Sequence, residues 1–381
     1  MEAGVSQFGG FVLSYPTEIT PMFAESDMDL SDLRREIDRI DKEILGLLNR
    51  RAETALEIGK HKQRTNKSFF APEREREVFE RLTTTNKGPL PNASLLAIYR
   101  EIISASRALE RPLTVVYWGP PATNTHMASI QKFGSSSTFV PADTIPDVFS
   151  EVERERADFG VVPIENSTEG VINHTLDTFL QSDLKICSEI YLPITHNLLS
   201  CEDAIASIER VYSVSVATAQ CRHWLRANMP NVEIVDVSTT ARAVQMCADE
   251  PGSAAIGTSL ASEVYNVKLV AEHIEDNPQN RTRFLVIGRN EPAPSGKDKT
   301  SVMFSVAHKA GSLFRAMSAF EKYDVNLTMI ESRPTKLTPW EYVFFIDCQG
   351  HVTDDSVKKA LKSLEEHTLF VTVLGSYPEA D

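Results

Sequence analysis

The sequence predicts three successive domains of different class. An all-α three-helix domain spans 29–112, a two-lobed α/β domain 113–290, and a ferredoxin-like α+β domain 299–377. Three observations carry this reading. Apolar residues recur at steps of three and four from Leu33 to Ile58. Short β-branched runs alternate with helical stretches from Leu113 to Arg289. Beyond the Pro-rich segment Glu291–Lys297, the order becomes strand, helix, strand, strand, helix, strand. A chain of 381 residues also exceeds what one hydrophobic core normally organises.

The first helix begins at Asp29 or Ser31, both able to cap it, and runs to about Arg64. That is roughly 50 Å, longer than a small domain is wide. Its stripe of Leu33, Ile37, Ile40, Ile44, Leu47, Leu48, Ala55 and Ile58 calls for a partner helix, which a second subunit can supply. Pro72 opens the second helix and Asn86-Lys87-Gly88-Pro89 closes it. The third runs from about Ala93 to Glu110, and Arg111-Pro112 ends it. Arg51 and Lys62 interrupt the apolar stripe, where a cation is costly unless an anion meets it. Glu75, Ser106 and Glu110 add polar groups on the neighbouring helices. The alternative is that both cations reach past the stripe to water.

In the middle domain the expected strands are Thr114–Tyr117, Asp158–Pro163, Leu184–Ile194, Arg210–Val216, Glu233–Val237, Ala254–Ile256 and Phe284–Ile287, with a crossover between lobes near Thr195–Ser200. Sites in such folds lie at strand ends and between lobes. Polar clusters stand there: Pro163–Thr168, Gln220-Cys221 and Asn280–Phe284. GxGxxG after a strand, GxSxG and HExxH are all missing, so nucleotide, serine-hydrolase and zinc-protease readings lack support. In the last domain the expected strands are Ser301–Ala307, Val325–Glu331, Glu341–Cys348 and Leu369–Leu374, with helices Ser312–Lys322 and Asp354–Glu365.

A net charge of −14 argues against nucleic-acid and anionic-membrane partners, and no apolar run is long enough to span a bilayer. The five cysteines are scattered without metal-ligand spacing, as expected of reduced thiols in a cytoplasmic protein. Residues 1–28 lack the basic start of a signal peptide and read as a flexible leader.

Three resemblances sharpen these expectations. LRREIDRIDKEILGLLNRRAETALEIGKHK, APERERE and REIISASRALE resemble the all-helical chorismate mutase family. The resemblance implies a dimer of three-helix protomers whose sites draw on both chains. It puts Arg51, and Arg34 from the partner subunit, on the substrate carboxylates, and Lys62 on the ether oxygen. Glu75 would accept from the ring hydroxyl and Ser106 would contact substrate. Glu110 stands where some members carry Gln, so it must hold a proton to donate to the ether oxygen. Ala71 replaces an Asp found in some members.

VVPIENSTEGVINHTLDTFL, ITHNLLS, AAIGTSLASEVYNV and NRTRFLVIG resemble the prephenate dehydratase family. The resemblance makes Thr282 the essential threonine, with Asn166, Ser167 and Gln220 in the cleft and Thr123 and Thr125 in the first loop. Two departures stand out: Ala122 where the family usually has Gly, with Asn124 near its usual aromatic, and Val214-Ser215-Val216 where it usually has His-Pro-Gln. His174 and His196 lie near these clusters in sequence and read as structural.

Lys309-Ala310-Gly311-Ser312-Leu313 and Thr328–Pro334 resemble the ligand-binding motifs of the ACT domain attached to prephenate dehydratases, with Ser312 replacing the usual Ala. They imply a phenylalanine site at Gly311, Ser312, Leu313, Glu331 and Ser332. The alternative is a dimerisation module without ligand. The combined expectation is a homodimer or higher homo-oligomer converting chorismate to prephenate and then to phenylpyruvate. It would be inhibited by phenylalanine and need neither cofactor nor metal. The rival readings are a mutase with a degraded dehydratase domain and a two-lobed small-molecule binding protein.

Overall fold

A computed structural model describes residues 29–65, 70–335 and 342–380; the leader 1–28 lies outside them. Asp29 Oδ1 accepts from the Asp32 amide at 2.9 Å and so caps the first helix. That helix, α1 (Leu30–Thr65), lies against α3 (Asn92–Glu110), which also packs on α2 (Pro72–Thr85). The N-terminal half of α1 is uncovered: Leu33, Ile37, Ile40, Ile44 and Leu47 are 43–65% exposed. α1 and α3 meet closely at Gly59, where an added Cβ would lie 3.0 Å from the Glu110 side chain.

The middle part forms two lobes. The first sheet has the order β2-β1-β3-β11-β5, with the short β4 on β3. Its strands are β1 (Thr114–Trp118), β2 (Thr138–Ala142), β3 (Phe159–Asn166), β4 (Gly170–Val171), β5 (Lys185–Pro193) and β11 (Arg281–Gly288). α4 (Asn124–Phe133), α5 (Ile145–Glu153) and α6 (Asn173–Phe179) cover it. The second sheet has the order β10-β6-β9-β7-β8. It comprises β6 (Asn197–Ser200), β7 (Arg210–Ser213), β8 (Glu233–Asp236), β9 (Ser253–Gly257) and β10 (Lys268–Ala271). Helices α7 (Ser215–Gln220), α8 (Arg222–Asn228), α9 (Thr240–Asp249) and α10 (Ser259–Tyr265) accompany it. The chain crosses to the second lobe between β5 and β6 and returns between β10 and β11, so β11 is made by residues distant from its neighbours.

One expected strand is corrected. Arg210–Val216 stops at Ser213, the last residue paired with β8, and α7 starts at Ser215. The alternating valines read as a strand. In fact Val214 turns the chain, its carbonyl accepts from the Thr218 amide at 3.0 Å, and Val216 is left 47% exposed while Ala217 faces the core. Ser215, where the dehydratase family usually carries Pro, is thus the first residue of a helix, a position proline suits.

The last part pairs β12 (Asp298–Ser305), β13 (Leu327–Pro334), β14 (Tyr342–Gln349) and β15 (Phe370–Pro378) in the antiparallel order β13-β14-β12-β15. α11 (Ser312–Lys322) and α12 (Asp355–Glu365) pack on one face. This is the expected ferredoxin-like order; Glu341, expected to start β14, lies outside the described residues. The other face shares a core with the first lobe: Met303, Phe345, Leu374 and Tyr377 join Ile164, Phe179 and Leu285 in one cluster. At Gly375 the two sheets come so close that a Cβ would lie 2.3 Å from the Ile186 carbonyl oxygen.

Candidate active sites

Between α1, α2 and α3 lies a cavity of about 620 Å³, lined among others by Arg51, Lys62, Glu75, Ser106, Arg107 and Glu110. Helical spacing explains the convergence. Arg51 and Lys62 share one face of α1, and Ser106 and Glu110 are four apart on α3. Arg51 Nη1 donates to Ser106 Oγ, whose own hydroxyl donates to the Ile102 carbonyl at 2.7 Å. Lys62 Nζ lies 3.0 Å from Glu110 Oε2, so the two groups expected at one ether oxygen sit together. Arg34 is exposed on α1 and does not line this cavity, consistent with a residue offered to another copy.

Two residues here were missed in the sequence. Gly59 permits the α1–α3 approach that lets Lys62 reach Glu110; glycine inside a helix costs about 1 kcal/mol against alanine, which was the available signal. Arg107 is buried, and its Nη1 lies 2.9 Å from Glu75 Oε1. Its Nη2 donates at 2.9 Å to the carbonyl of Phe133, at the end of α4. An arginine of α3, anchored on a carbonyl of the middle part, thus holds a carboxylate of the helical cavity. Nothing in local periodicity reveals such a link.

The second constellation lies where the lobes meet. Thr282 is opposite Asn166 across the β3–β11 ladder, beside a register irregularity that leaves Ile164 without a partner on β11. The polarity of the network follows from two backbone amides. Thr168 and Glu169 both donate to Asn166 Oδ1, at 2.9 and 3.0 Å, so the Asn166 amide nitrogen must face the other way. It donates to Thr282 Oγ1 at 2.8 Å and to Asn280 Oδ1 at 3.0 Å. Asn280 Nδ2 then donates to Gln220 Oε1 at 3.2 Å, which also accepts from His196 Nε2 at 2.7 Å, and Gln220 Nε2 donates to Glu169 Oε1 at 3.3 Å. Thr282 therefore accepts a bond and keeps its own hydroxyl proton for another acceptor. Ser167 joins the network through Asn280 Oδ1 at 3.3 Å. His196 belongs to the network rather than to the scaffold alone, whereas His174 is exposed on α6. Asn280 is the hub; the sequence placed it in the polar cluster Asn280–Phe284 but gave it no role of its own, and it is 3% exposed.

Thr123 and Thr125 stand apart from this network. Thr123 Oγ1 caps α4 by accepting from the His126 amide at 3.4 Å, and Thr125 is 4% exposed. Their loop touches the second lobe: Thr258 Oγ1 donates to the Ala122 carbonyl at 2.7 Å. Ala122 has φ +66°, which explains glycine at this position in the family. Here the buried alanine methyl packs with Leu199, Tyr212 and Val244 of the second lobe.

In the last part, Gly311 precedes α11 with φ +79°, Ser312 is buried, and Leu313 packs on the core under α11. Glu331 and Ser332 lie on β13, an edge strand whose residues alternate in exposure. Among the described residues no helix is long and apolar enough to cross a membrane.

Comparison with known proteins matches residues 33–111 to chorismate mutase type II, 115–292 to prephenate dehydratase and 300–366 to the ACT domain. A bifunctional chorismate mutase/prephenate dehydratase of Aquifex aeolicus (strain VF5) is 49% identical over 92% of this chain and 98% of its own. One from Stutzerimonas stutzeri is 44% identical over 94% and 99%. Among solved structures, prephenate dehydratase from Arthrobacter aurescens in complex with L-Phe superposes with a TM-score of 0.67 at 34% identity, over 71% of this chain and 91% of that one. With all three domains present in the same order, this chain belongs to the bifunctional chorismate mutase/prephenate dehydratase family.

Proposed function

We propose that the helical cavity rearranges chorismate to prephenate, that the interlobe site converts prephenate to phenylpyruvate, and that phenylalanine binding to the ACT domain inhibits the second step. The observation that carries this is the presence in one chain of a cation-lined cavity and a separate threonine whose proton is uncommitted.

The rearrangement is a single pericyclic step with no nucleophile. The cavity has to fold a dicarboxylate into a chair-like conformer and to stabilise charge growing on the breaking ether oxygen. Arg51 takes one carboxylate and Arg34 of a second copy the other. Lys62 and protonated Glu110 donate to the ether oxygen, and Glu75, held by Arg107, receives the ring hydroxyl. The exposed stripe of α1 supports the pairing of two chains. In the cleft, prephenate loses its ring hydroxyl and a carboxylate together, and aromatisation drives the step. Thr282 donates to the departing oxygen while Asn166 holds its Oγ1. Such chemistry on small metabolites suits a cytoplasmic enzyme.

Glu110→Gln is expected to retain mutase activity, since an amide in that place still donates to the ether oxygen, whereas Glu110→Ala is expected to lose it. Equal mutase rates in the glutamine and alanine variants count against the assignment.

Regulation is tested by calorimetry. Phenylalanine is expected to bind between Gly311–Leu313 of one subunit and Glu331–Ser332 of the facing one. The shared core of the ACT sheet and first lobe supports coupling to the dehydratase. Linkage then requires that a non-reacting prephenate analogue weaken phenylalanine binding by the factor with which phenylalanine weakens the analogue. Binding indifferent to the analogue leaves a sensor without a switch, and absence of binding restores the dimerisation reading.

A further inference from the structure

Thr282 has a neighbour whose position the dehydratase chemistry does not explain. Strand alternation sends Arg283 to the face opposite Thr282, the face that carries Leu285, Ile287 and the ACT sheet. There Arg283 is 5% exposed. Its Nε donates to Glu189 Oε2 on β5 at 2.7 Å, and its Nη2 donates to the Tyr377 hydroxyl on β15 at 3.0 Å. Its Nη1 lies 2.6 Å from Asp347 Oδ2 on β14 and 3.7 Å from the Met329 sulfur on β13. Lys299 Nζ completes a group of two cations and two anions, at 2.9 and 3.0 Å from the Glu189 oxygens. Ser301 Oγ ties Asp347 and Tyr377 together at 2.5 and 2.7 Å. The adjoining void is about 10 Å³, too small for more than a single water, so these groups depend on one another.

Burial alone opposes the Arg283 charge, but Tyr377, Asp347 and Glu189 outweigh it and hold the guanidinium pKa above its ordinary value. Burial chiefly, with the Asp347 charge, keeps the Tyr377 phenol protonated far above its ordinary range. A buried ionic cluster adds little net stability over apolar packing of the same volume, yet losing one partner is costly. What such a cluster does well is fix one geometry.

We propose that Arg283 is a positioning residue for dehydration and that Asp347 and Tyr377 of the ACT domain hold it, so the regulatory sheet itself sets where β11 presents Thr282. This rests on the role of Thr282 given above. Each guanidinium nitrogen meets a partner from a different strand, and a displacement of β14 or β15 pulls on the residue bonded directly to Thr282. The ACT domain is on this view part of the dehydratase, whether or not an effector is bound.

The test uses the full chain with Tyr377→Phe, and reads both activities from one sample. Removing the hydroxyl leaves Arg283 Nη2 without its partner in a dry site. The expected result is a fall in dehydratase kcat of roughly tenfold to a hundredfold, since small misplacements of a reacting group cost about that much. The KM for prephenate and the mutase rate should stay within about twofold. Ser301→Ala, which loosens Tyr377 and Asp347 without touching Arg283, should lower the same kcat by a smaller factor. Arg283→Met combined with Tyr377→Phe should be no worse than Arg283→Met alone, because both act through one contact. A Tyr377→Phe enzyme with unchanged dehydratase kcat, a change confined to KM, or equal loss of both activities would overturn the proposal. If Thr282→Ala keeps normal dehydration, the underlying reading of Thr282 fails instead; if Thr282→Ala is inactive and Tyr377→Phe is normal, only the positioning role fails.

Discussion

Replacing Arg51 by alanine is expected to lower chorismate mutase activity by about a hundredfold or more, the scale on which a preorganised donor in a water-poor site contributes, while prephenate dehydration persists. Arg51 Nη1 is held on Ser106 at the wall of the helical cavity, so the alanine variant loses both a cation for the substrate carboxylate and the hydrogen bond that orients Ser106. Folding should survive, because Arg51 is only half-buried and Ala55, one turn further along α1, stays buried without it. The dehydratase network shares none of these atoms. Steady-state assays with each substrate decide the matter: equal loss of both activities in a folded variant would contradict the separation of the sites.

Thr282→Ala is expected to give the reverse pattern, with dehydration lost by roughly a hundredfold or more and the mutase unchanged. The substitution removes the hydrogen-bond donor to the leaving oxygen and also leaves Asn166 Nδ2 with only its weaker partners, Asn280 Oδ1 at 3.0 Å and the Arg281 carbonyl at 3.3 Å. Thr282→Ser retains the hydroxyl and should recover a substantial part of the rate. Near-normal dehydration by the alanine variant would take Thr282 out of the mechanism.

The fold was readable wherever periodicity was strong. α1 announces itself by its stripe and by Asp29, and α11 was delimited from sequence at Ser312–Lys322. Strands β2, β6 and β10 were not. β6 is four buried residues and β10 two exposed and two half-buried ones; neither has the length to establish an alternating pattern. β2 contains Pro141, acceptable because β2 is an edge strand but a signal against a strand when read locally. The VYSVSV run failed for the opposite reason, carrying a strand pattern through a turn.

At the sites, sequence reading named groups on a single helix or motif and missed those joined by tertiary contact. Arg51, Lys62, Ser106 and Glu110 are legible as polar breaks in apolar stripes. Asn280, Arg107 and Arg283 acquire their roles from partners 26 to 114 residues away. No local pattern encodes such partners. Arg283 in particular was read only as a member of the polar cluster Asn280–Phe284 and is one of the most buried charges among the described residues.

Two sites acting in series in one chain is the central claim, and mixing the two variants tests it most directly. Arg51→Ala and Thr282→Ala are purified separately and each is incubated with chorismate at neutral pH, alone and then together, with the products separated by chromatography and identified against standards. Neither variant alone should yield phenylpyruvate at an appreciable rate, and Thr282→Ala should accumulate prephenate. The mixture should convert chorismate through to phenylpyruvate, because prephenate released by one variant is consumed by the other. A mixture that makes no phenylpyruvate, or a single variant that makes it at the wild-type rate, would contradict the account.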